Sequence, residues 1–205
     1  MKTHRWIIAL FGAAVVLCSA AQGHAQEKRP PIIAFGSDSP ERGTTRVGYW
    51  DNAKDRGAGQ FAIDYGRPIW RKAYEDSGKL DEMTKGKVWR LGSNFWTVLD
   101  TDLALKFSGR TVPAGMWYLG LWRSPDGSAW SLVFIDPAKA RAAHLDASEI
   151  EKAVIAVRAP MTMEKSNETR EKLTIDLSYQ KAAIKKVTLR IAWGSLQLST
   201  SIDVP

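Results

Sequence analysis

The segment Lys185–Val204, KKVTLRIAWGSLQLSTSIDV, carries the clearest structural pattern in the chain. Its first half has apolar residues at alternate positions, namely Val187, Leu189, Ile191 and Trp193. Because successive side chains of a strand point to opposite faces, this spacing predicts a strand with one buried face. The dipeptide Gly194-Ser195 predicts a two-residue hairpin turn, which places Trp193 opposite Leu196 in a second strand.

Similar patterns occur through the rest of the chain. Leu173–Tyr179 alternates in the same way, and two runs separated by a Pro-Asp-Gly turn, Met116–Trp122 and Trp130–Ile135, are apolar on both faces. Such runs indicate paired strands buried within a sheet. Many short strands with regular turns predict an all-β fold, an antiparallel β-sandwich of the jelly-roll or immunoglobulin-like type. Pro137 begins one short helical segment that ends near Ala143.

The N-terminus has the features of a secretory signal peptide. Lys2 and Arg5 precede the apolar run Trp6–Leu17, and small residues precede a cleavage site before Gln26. The sequence therefore predicts a signal peptide over residues 1–25 and a periplasmic or secreted location. A lipoprotein signal at Cys18 is the weaker alternative, because Leu17 stands where such a signal has Gly or Ala.

The region after the signal is divided by composition. Residues 26–46 are rich in Pro, Gly, Ser and charge, which predicts a flexible lead-in. Residues 47–205 are expected to form a single β-sandwich domain, with Tyr49–Gly59 as a polar loop. No later run is long and apolar enough for a transmembrane segment after signal cleavage.

Composition excludes several chemistries for the mature chain. Cleavage removes Cys18, the only cysteine, and leaves His144 as the only histidine. Cysteine nucleophiles and zinc sites built on Cys or several His are therefore excluded, and no phosphate-binding glycine motif is present. We expect no metal and no cofactor. The net charge falls from +7 to +5 with the signal, and the remaining basic residues are scattered, so we expect no nucleic-acid partner.

The segment Gly86–Asn94, GKVWRLGSN, joins an aromatic residue to a cation. In a strand, Trp89 and Arg90 would point to opposite faces, while Gly92 and Asn94 suit a bend. A buried Arg must be paired, since an uncompensated buried charge costs several kcal/mol. Arg90 is therefore either a structural latch, held by a carboxylate or by backbone carbonyls, or a contact for a ligand carboxylate or phosphate.

Four motifs together resemble one family of exported bacterial proteins, the domain of unknown function 2911. They are IDYGRP at Ile63–Pro68, GKVWRLGSN at Gly86–Asn94, VPAGMWYL at Val112–Leu119, and the C-terminal LTIDLSYQ…KKVTLRIAWGSLQLSTSIDV pattern. The family's central motif is similar at Trp89, Arg90, Gly92, Asn94 and Thr97, whereas Leu91, Ser93 and Trp96 depart from it. The resemblance implies a secreted β-sandwich module with no assigned activity.

These motifs define the predicted site. Because Trp, Tyr and Arg combine large flat surfaces with polar groups, they are the usual anchors of ligands. The predicted ligand-binding residues are Tyr65, Arg67, Trp89, Arg90 and Asn94. The predicted function is a non-catalytic module that binds a small molecule, a glycan or an envelope component. One alternative is a carboxylate-based hydrolase of envelope polysaccharide, and another is a purely structural partner domain with an apolar patch near Trp117 or Trp122.

Overall fold

The computed structural model describes residues 41–164 and 168–205, together with Ile32. The chain divides into two compact units, Met1–Phe35 and Gly36–Pro205. Ile32 is the described residue of the first unit, so the predicted signal peptide lies outside the described residues. The account below concerns the second unit.

Strands dominate the described residues. Their bounds are β1 Arg42–Asp51, β2 Arg56–Gly66, β3 Val88–Arg90, β4 Thr97–Thr101, β5 Leu105–Phe107, β6 Arg110–Val112, β7 Gly115–Arg123, β8 Trp130–Ile135, β9 Ile155–Met163, β10 Arg170–Tyr179, β11 Lys186–Gly194 and β12 Leu196–Asp203. The pairings between these strands are antiparallel. The prediction of an antiparallel β-sandwich is confirmed.

Two short α-helices interrupt the strands. Helix α2, Pro137–Ala142, is the predicted helical segment, and the Asp136 side chain accepts the backbone N–H of Ala138 at its start. Helix α1, Ser77–Thr84, follows Asp76, whose side chain caps its first turn in the same way. Three 3₁₀-helices complete the described helical elements: Lys72–Glu75, Ala147–Lys152 and Lys181–Ala183. Within the part of the chain that the structure describes, no helix has the length and apolar character needed to cross a membrane.

The two layers of the sandwich share one strand. The first sheet has the order β1-β2-β4-β7-β8-β9. Strand β3 pairs with residues 120–122 of β7, just beyond the part of β7 that pairs with β4. The second has the order β9-β12-β11-β10, with the β5–β6 hairpin paired to β12. Strand β9 pairs with β8 along most of its length and with β12 at its last residues. A strand that passes from one sheet to the other makes a corner of the sandwich.

The core lies between these layers, as the alternating patterns predict. All six residues of β8 are buried, and the ring of Phe134 lies 4.8 Å from the ring of Phe107 on β5 of the second sheet. The C-terminal hairpin also has its predicted register, with Trp193 opposite Leu196. Burying each large apolar side chain contributes about 1.5–3 kcal/mol to folding.

Two of the sequence predictions for the region of β1 and β2 were wrong. Strand β1 begins at Arg42, so residues 42–46 belong to the first sheet and not to a lead-in. The expected loop at Tyr49–Gly59 is a β-hairpin whose register shifts between Tyr49 and Trp50. The reason is that β1 and β2 pair through their backbones on both sides of the turn at residues 52–55, which composition does not reveal.

Candidate functional site

The Gly86–Asn94 segment forms a short strand followed by a tight bend. Strand β3 ends at Arg90, Leu91 is fully buried, and Gly92 and Asn94 both have positive φ angles, of 110° and 61°. A Cβ atom at Gly92 would lie 2.9 Å from the Thr97 hydroxyl, so this close approach requires glycine. The predicted bend is confirmed. It turns the chain so that residues on both sides of it reach one surface cleft.

This cleft has a volume of about 660 Å³. It is bordered by the end of β2, the 3₁₀ segment before α1, the bend after β3, and the edges of β10 and β11. Its lining residues are Glu41, Arg67, Pro68, Ile69, Arg71, Tyr74, Trp89, Arg90, Gly92, Ser93, Asn94, Lys172 and Trp193. Four of the five predicted site residues therefore lie together: Arg67, Trp89, Arg90 and Asn94.

Aromatic side chains form one wall of the cleft. The Trp89 and Trp193 rings are stacked, with centroids 5.1 Å apart and planes at 20°. Tyr74 and Trp70 also contact the Trp193 ring, at centroid distances of 5.2 and 4.9 Å. The Trp193 indole N–H donates to the Pro68 carbonyl at 2.8 Å, which satisfies its one polar group. Trp193 is thus the buried centre of the wall, and half-buried Trp89 and Tyr74 present its surface.

An ion-pair network forms another part of the cleft margin. The Lys172 ammonium donates to Glu41 Oε2 at 2.6 Å, and Arg67 Nη1 donates to Glu41 Oε1. Arg67 Nε also donates to the Leu173 carbonyl at 3.2 Å. The hydrogen bond from Lys172, followed by the charge of Arg67, lowers the pKa of the Glu41 carboxyl. Glu41 is therefore ionised at neutral pH and holds two of the cleft's cations.

Arg90 is held much less firmly than Arg67. It is half-buried, and within the described ranges its guanidinium has no hydrogen bond or ion pair. The charge of Arg90 acts on Asp146, whose pKa is lowered mainly by hydrogen bonds from Ser148 and to a smaller extent by Arg90. The Asp64 carboxylate on β2 accepts hydrogen bonds from Arg42 and Thr44 and does not pair with Arg90. The contacts thus do not make Arg90 a saturated structural latch.

Tyr65 does not line the cleft. It is 4% exposed, its hydroxyl accepts the Ile175 backbone N–H at 3.0 Å, and it donates to the Ile175 carbonyl at 3.4 Å. Its side chain therefore ties β2 of the first sheet to β10 of the second. Tyr65 continues the buried face of β2, whereas Arg67 lies beyond Gly66, the last residue of that strand, and reaches the cleft. Tyr65 is therefore not part of the candidate site.

Replacing Tyr65 by phenylalanine tests this structural role. The variant keeps the ring but leaves the buried Ile175 N–H without its acceptor, which is expected to lower the free energy of unfolding by about 1–3 kcal/mol. Urea denaturation measures the change. Tyr179→Phe is the matched control, because Tyr179 is 50% exposed and should change stability by less than about 0.5 kcal/mol. Equal effects of the two substitutions would contradict the role given to Tyr65.

Residues 51–202 match the family described as "Protein of unknown function (DUF2911)". The chain belongs to this family. The family resemblance inferred from the four motifs is thereby confirmed, and the DUF2911 match covers Arg67, Trp89, Arg90 and Asn94. No curated protein and no solved structure matches the chain.

Several cleft residues were missed by sequence reasoning. Glu41 precedes the DUF2911 match and lay within the expected lead-in, while Lys172 and Trp193 come from strands more than 75 positions beyond Arg90. Trp193 had a visible signal as the last residue before the Gly194-Ser195 turn, but its pattern indicated only a core position. Its role in the wall depends on β11 packing beside Trp89, which no local pattern encodes.

Two acidic residues that are close in sequence, Asp100 and Asp102, do not line the cleft. Asp100 is on β4 and pairs through its backbone with β2 and β7, and Asp102 borders a separate depression beside the β1–β2 hairpin. Within the described ranges, no three His, Cys, Asp or Glu side chains are grouped in a way that could hold a metal ion. His144 follows α2 with a positive φ of 54° and is not among the lining residues of the cleft.

Proposed function

We propose that this protein is an exported, non-catalytic β-sandwich module that binds a small molecule, a glycan or another envelope component in the cleft beside Trp89 and Arg90. The observation that carries the proposal is the convergence of Arg67, Trp89 and Arg90 on one concave surface. The volume of about 660 Å³ is in the usual range for small-molecule sites, roughly 300–1,000 Å³. Export is supported by the charged and apolar pattern of residues 1–25.

The carboxylates favour binding over hydrolysis. Glycoside hydrolysis uses two carboxyl groups that flank the reacting bond, one of them held protonated as a general acid. Among the described lining residues, Glu41 is the one carboxylate, and its lowered pKa and two cationic partners favour the ionised form. This arrangement supports a site that holds a ligand without transforming it.

The tryptophans weighed for a structural partner surface are engaged within the chain. The Arg158 guanidinium lies 3.9 Å from the centre of the Trp122 ring, a cation–π contact that covers one ring face. The Trp117 indole N–H donates to the Pro113 carbonyl at 2.9 Å, and its half-buried ring packs against the core. These contacts favour the ligand-binding proposal over a docking surface at Trp117 or Trp122.

A thermal-shift screen against glycans, lipids and metal salts tests the proposal. A compound that binds the folded state stabilises it by RT ln(1 + [L]/Kd), about 2.7 kcal/mol at one hundred times Kd. We expect at least one compound to raise the melting temperature, and Ile69→Trp to abolish that rise by filling the cleft. Ile69 is 55% exposed, so the unliganded melting temperature should change little.

Met116→Trp is the matched control, because Met116 is 49% exposed on β7 and does not line the cleft. It adds the same bulk outside the site and should leave the ligand-induced shift unchanged. A screen in which no compound shifts the melting temperature would contradict the binding proposal and favour the structural alternative. A shift that survives Ile69→Trp would place binding outside this cleft.

A further inference from the structure

We infer that the first sheet carries a second ligand site, where the exposed Trp50 ring stacks on an uncharged sugar ring and the Gln60 and Asp102 side chains bind its hydroxyl groups. This site is separate from the cleft of the proposed function. It lies beside the β1–β2 hairpin, in a depression of about 450 Å³. Its lining residues are Gly48, Tyr49, Trp50, Gly57, Gly59, Gln60 and Asp102.

Strand alternation places Trp50 and Gln60 on the face of the sheet that turns away from the core. Val47 and Phe61 are register partners, and both are buried. The next pair along the strands, Gly48 and Gln60, therefore lies on the outer face, and both residues are exposed. Trp50 follows Gly48 by two positions on the same strand, and its exposure of 61% agrees with the same face.

Trp50 presents an open indole ring. Among the tryptophans that the structure describes, it is the one in the exposed class. Its side chain has no hydrogen bond, ring stack or cation–π contact with any described residue. An indole combines a flat apolar face with one N–H donor. A sugar ring has the complementary character, because its C–H groups form an apolar face and its hydroxyl groups form a polar rim.

Glycines leave the space beside this ring empty. Gly57 is the register partner of Trp50, and a Cβ atom at Gly57 would have no neighbouring atom within 4 Å. A Cβ atom at Gly48 would meet only the Gln60 Cβ, at 4.0 Å. The volume of about 450 Å³ lies in the usual range for small-molecule sites, roughly 300–1,000 Å³. The open backbone therefore leaves room for a ring to lie against the indole.

Two side chains with hydrogen-bonding groups border the same space. The Asp102 backbone N–H donates to the Gln60 carbonyl at 3.0 Å, which holds the two residues side by side. Both residues are exposed, and their side chains make no hydrogen bond or ion pair with the described part of the chain. The Gln60 amide can donate and accept, and the Asp102 carboxylate can accept twice. Neighbouring hydroxyl groups on a sugar ring match this set of donors and acceptors.

Charge decides which sugars this site accepts. Among the described lining residues, Asp102 is the one with a formal charge. Its negative charge opposes a sugar that carries a carboxylate or a phosphate, and no cation in the described lining offsets it. The expected ligand is therefore an uncharged sugar unit, such as a glucose or an N-acetylglucosamine residue of a polysaccharide.

Calorimetric titration combined with NMR tests this site. The probes are cellobiose and N-acetylglucosamine as uncharged sugars, glucuronate as a charged ring, and glycerol as a hydroxylated compound without a ring. We expect at least one uncharged sugar to bind and to shift the Trp50 indole N–H resonance, which is identified by its loss in Trp50→Phe. Glucuronate should bind about threefold or more weakly because of the Asp102 charge, and glycerol should not shift the resonance.

Three variants and one control assign the contact. Trp50→Ala is expected to weaken sugar binding about tenfold or more, because it removes the stacking surface. Gly48→Leu should also abolish binding by filling the depression, and the open space at its Cβ means that the melting temperature should change little. Ile69→Trp, which fills the other cleft, should leave the affinity unchanged. Tyr179→Ala is the control, because Tyr179 is a 50% exposed aromatic residue outside the depression.

Each contrary outcome has a distinct meaning. If glucuronate binds as tightly as the uncharged sugars, the role of Asp102 is overturned. If a sugar binds and only Ile69→Trp abolishes it, the second site is rejected and the cleft of the proposed function gains support. If no sugar binds, or if the Trp50 resonance shifts with protein concentration alone, the inference is rejected, and the second result would show a contact between two copies of the chain.

Discussion

Replacement of Phe134 by alanine is expected to lower the free energy of unfolding by about 3–5 kcal/mol, enough to remove much of the stability of a typical domain. Phe134 lies on β8, next to its last residue, and is fully buried. Its ring contacts Phe107, which belongs to the other sheet, so the substitution opens a cavity between the two layers. The strands on each side are fixed by their hydrogen-bonded neighbours and cannot move inward to fill it.

Chemical denaturation with urea measures this loss as a lower midpoint with little change in slope. Met116→Ala is the control for a large apolar side chain on the neighbouring strand β7, where Met116 is 49% exposed. That substitution should change the free energy of unfolding by less than about 0.5 kcal/mol. A Phe134→Ala protein as stable as Met116→Ala would show that the Phe107–Phe134 contact is not part of the core in solution.

Gly194→Ala is expected to destabilise the protein and to disturb the aromatic wall. Gly194 has a φ of +56°, where an alanine costs about 1–2 kcal/mol from backbone strain alone. A Cβ atom at this position would also lie 2.1 Å from the Trp70 ring, a distance that the ring can relieve only by moving. Because Trp70 packs edge-on against Trp193, a shift of the Trp70 ring would also displace Trp193, the centre of the aromatic wall.

Gly109→Ala separates the two effects. Gly109 has a comparable φ of +79°, but an added Cβ there has no neighbouring atom within 4 Å. It should therefore show the strain cost alone, and Gly194→Ala should be the more destabilised by about 1 kcal/mol or more, the usual cost of overpacking. Near-ultraviolet circular dichroism should change for Gly194→Ala only. Identical unfolding curves and spectra for the two variants would contradict the close packing of Trp70 against this turn.

The fold was predictable where alternation and turn chemistry agree. Gly194-Ser195 fixed the β11–β12 register, and the doubly apolar runs of β7 and β8 indicated the centre of the first sheet. Alternation of apolar residues does not predict a strand that is held by backbone pairing and not by the burial of one face. Residues 42–46 and most of the Tyr49–Gly59 hairpin are polar or exposed, and they are strand because β1 and β2 pair through their backbones, with one register shift between Tyr49 and Trp50.

The candidate site was predictable only in part, for a similar reason. Arg67, Trp89, Arg90 and Asn94 were found because they lie in short motifs near turns. Tyr65 belongs to the same motif as Arg67 but continues the buried alternation of Phe61 and Ile63, whereas Arg67 lies just beyond the end of β2. Glu41 and Lys172 join the site through an ion pair between residues 131 positions apart, which depends on the finished topology.

The sharing of β9 between the two layers has a consequence for how this chain acquires its shape. The second sheet cannot join the first until β12 has paired with the end of β9, and the Tyr65 hydroxyl bonds a residue 110 positions later in the sequence. Assembly dominated by such distant pairings is slow, because the entropy of closing long loops is lost before the contacts are gained. The apolar faces of the amino-terminal strands therefore stay exposed to water until β10, β11 and β12 have formed and cover them.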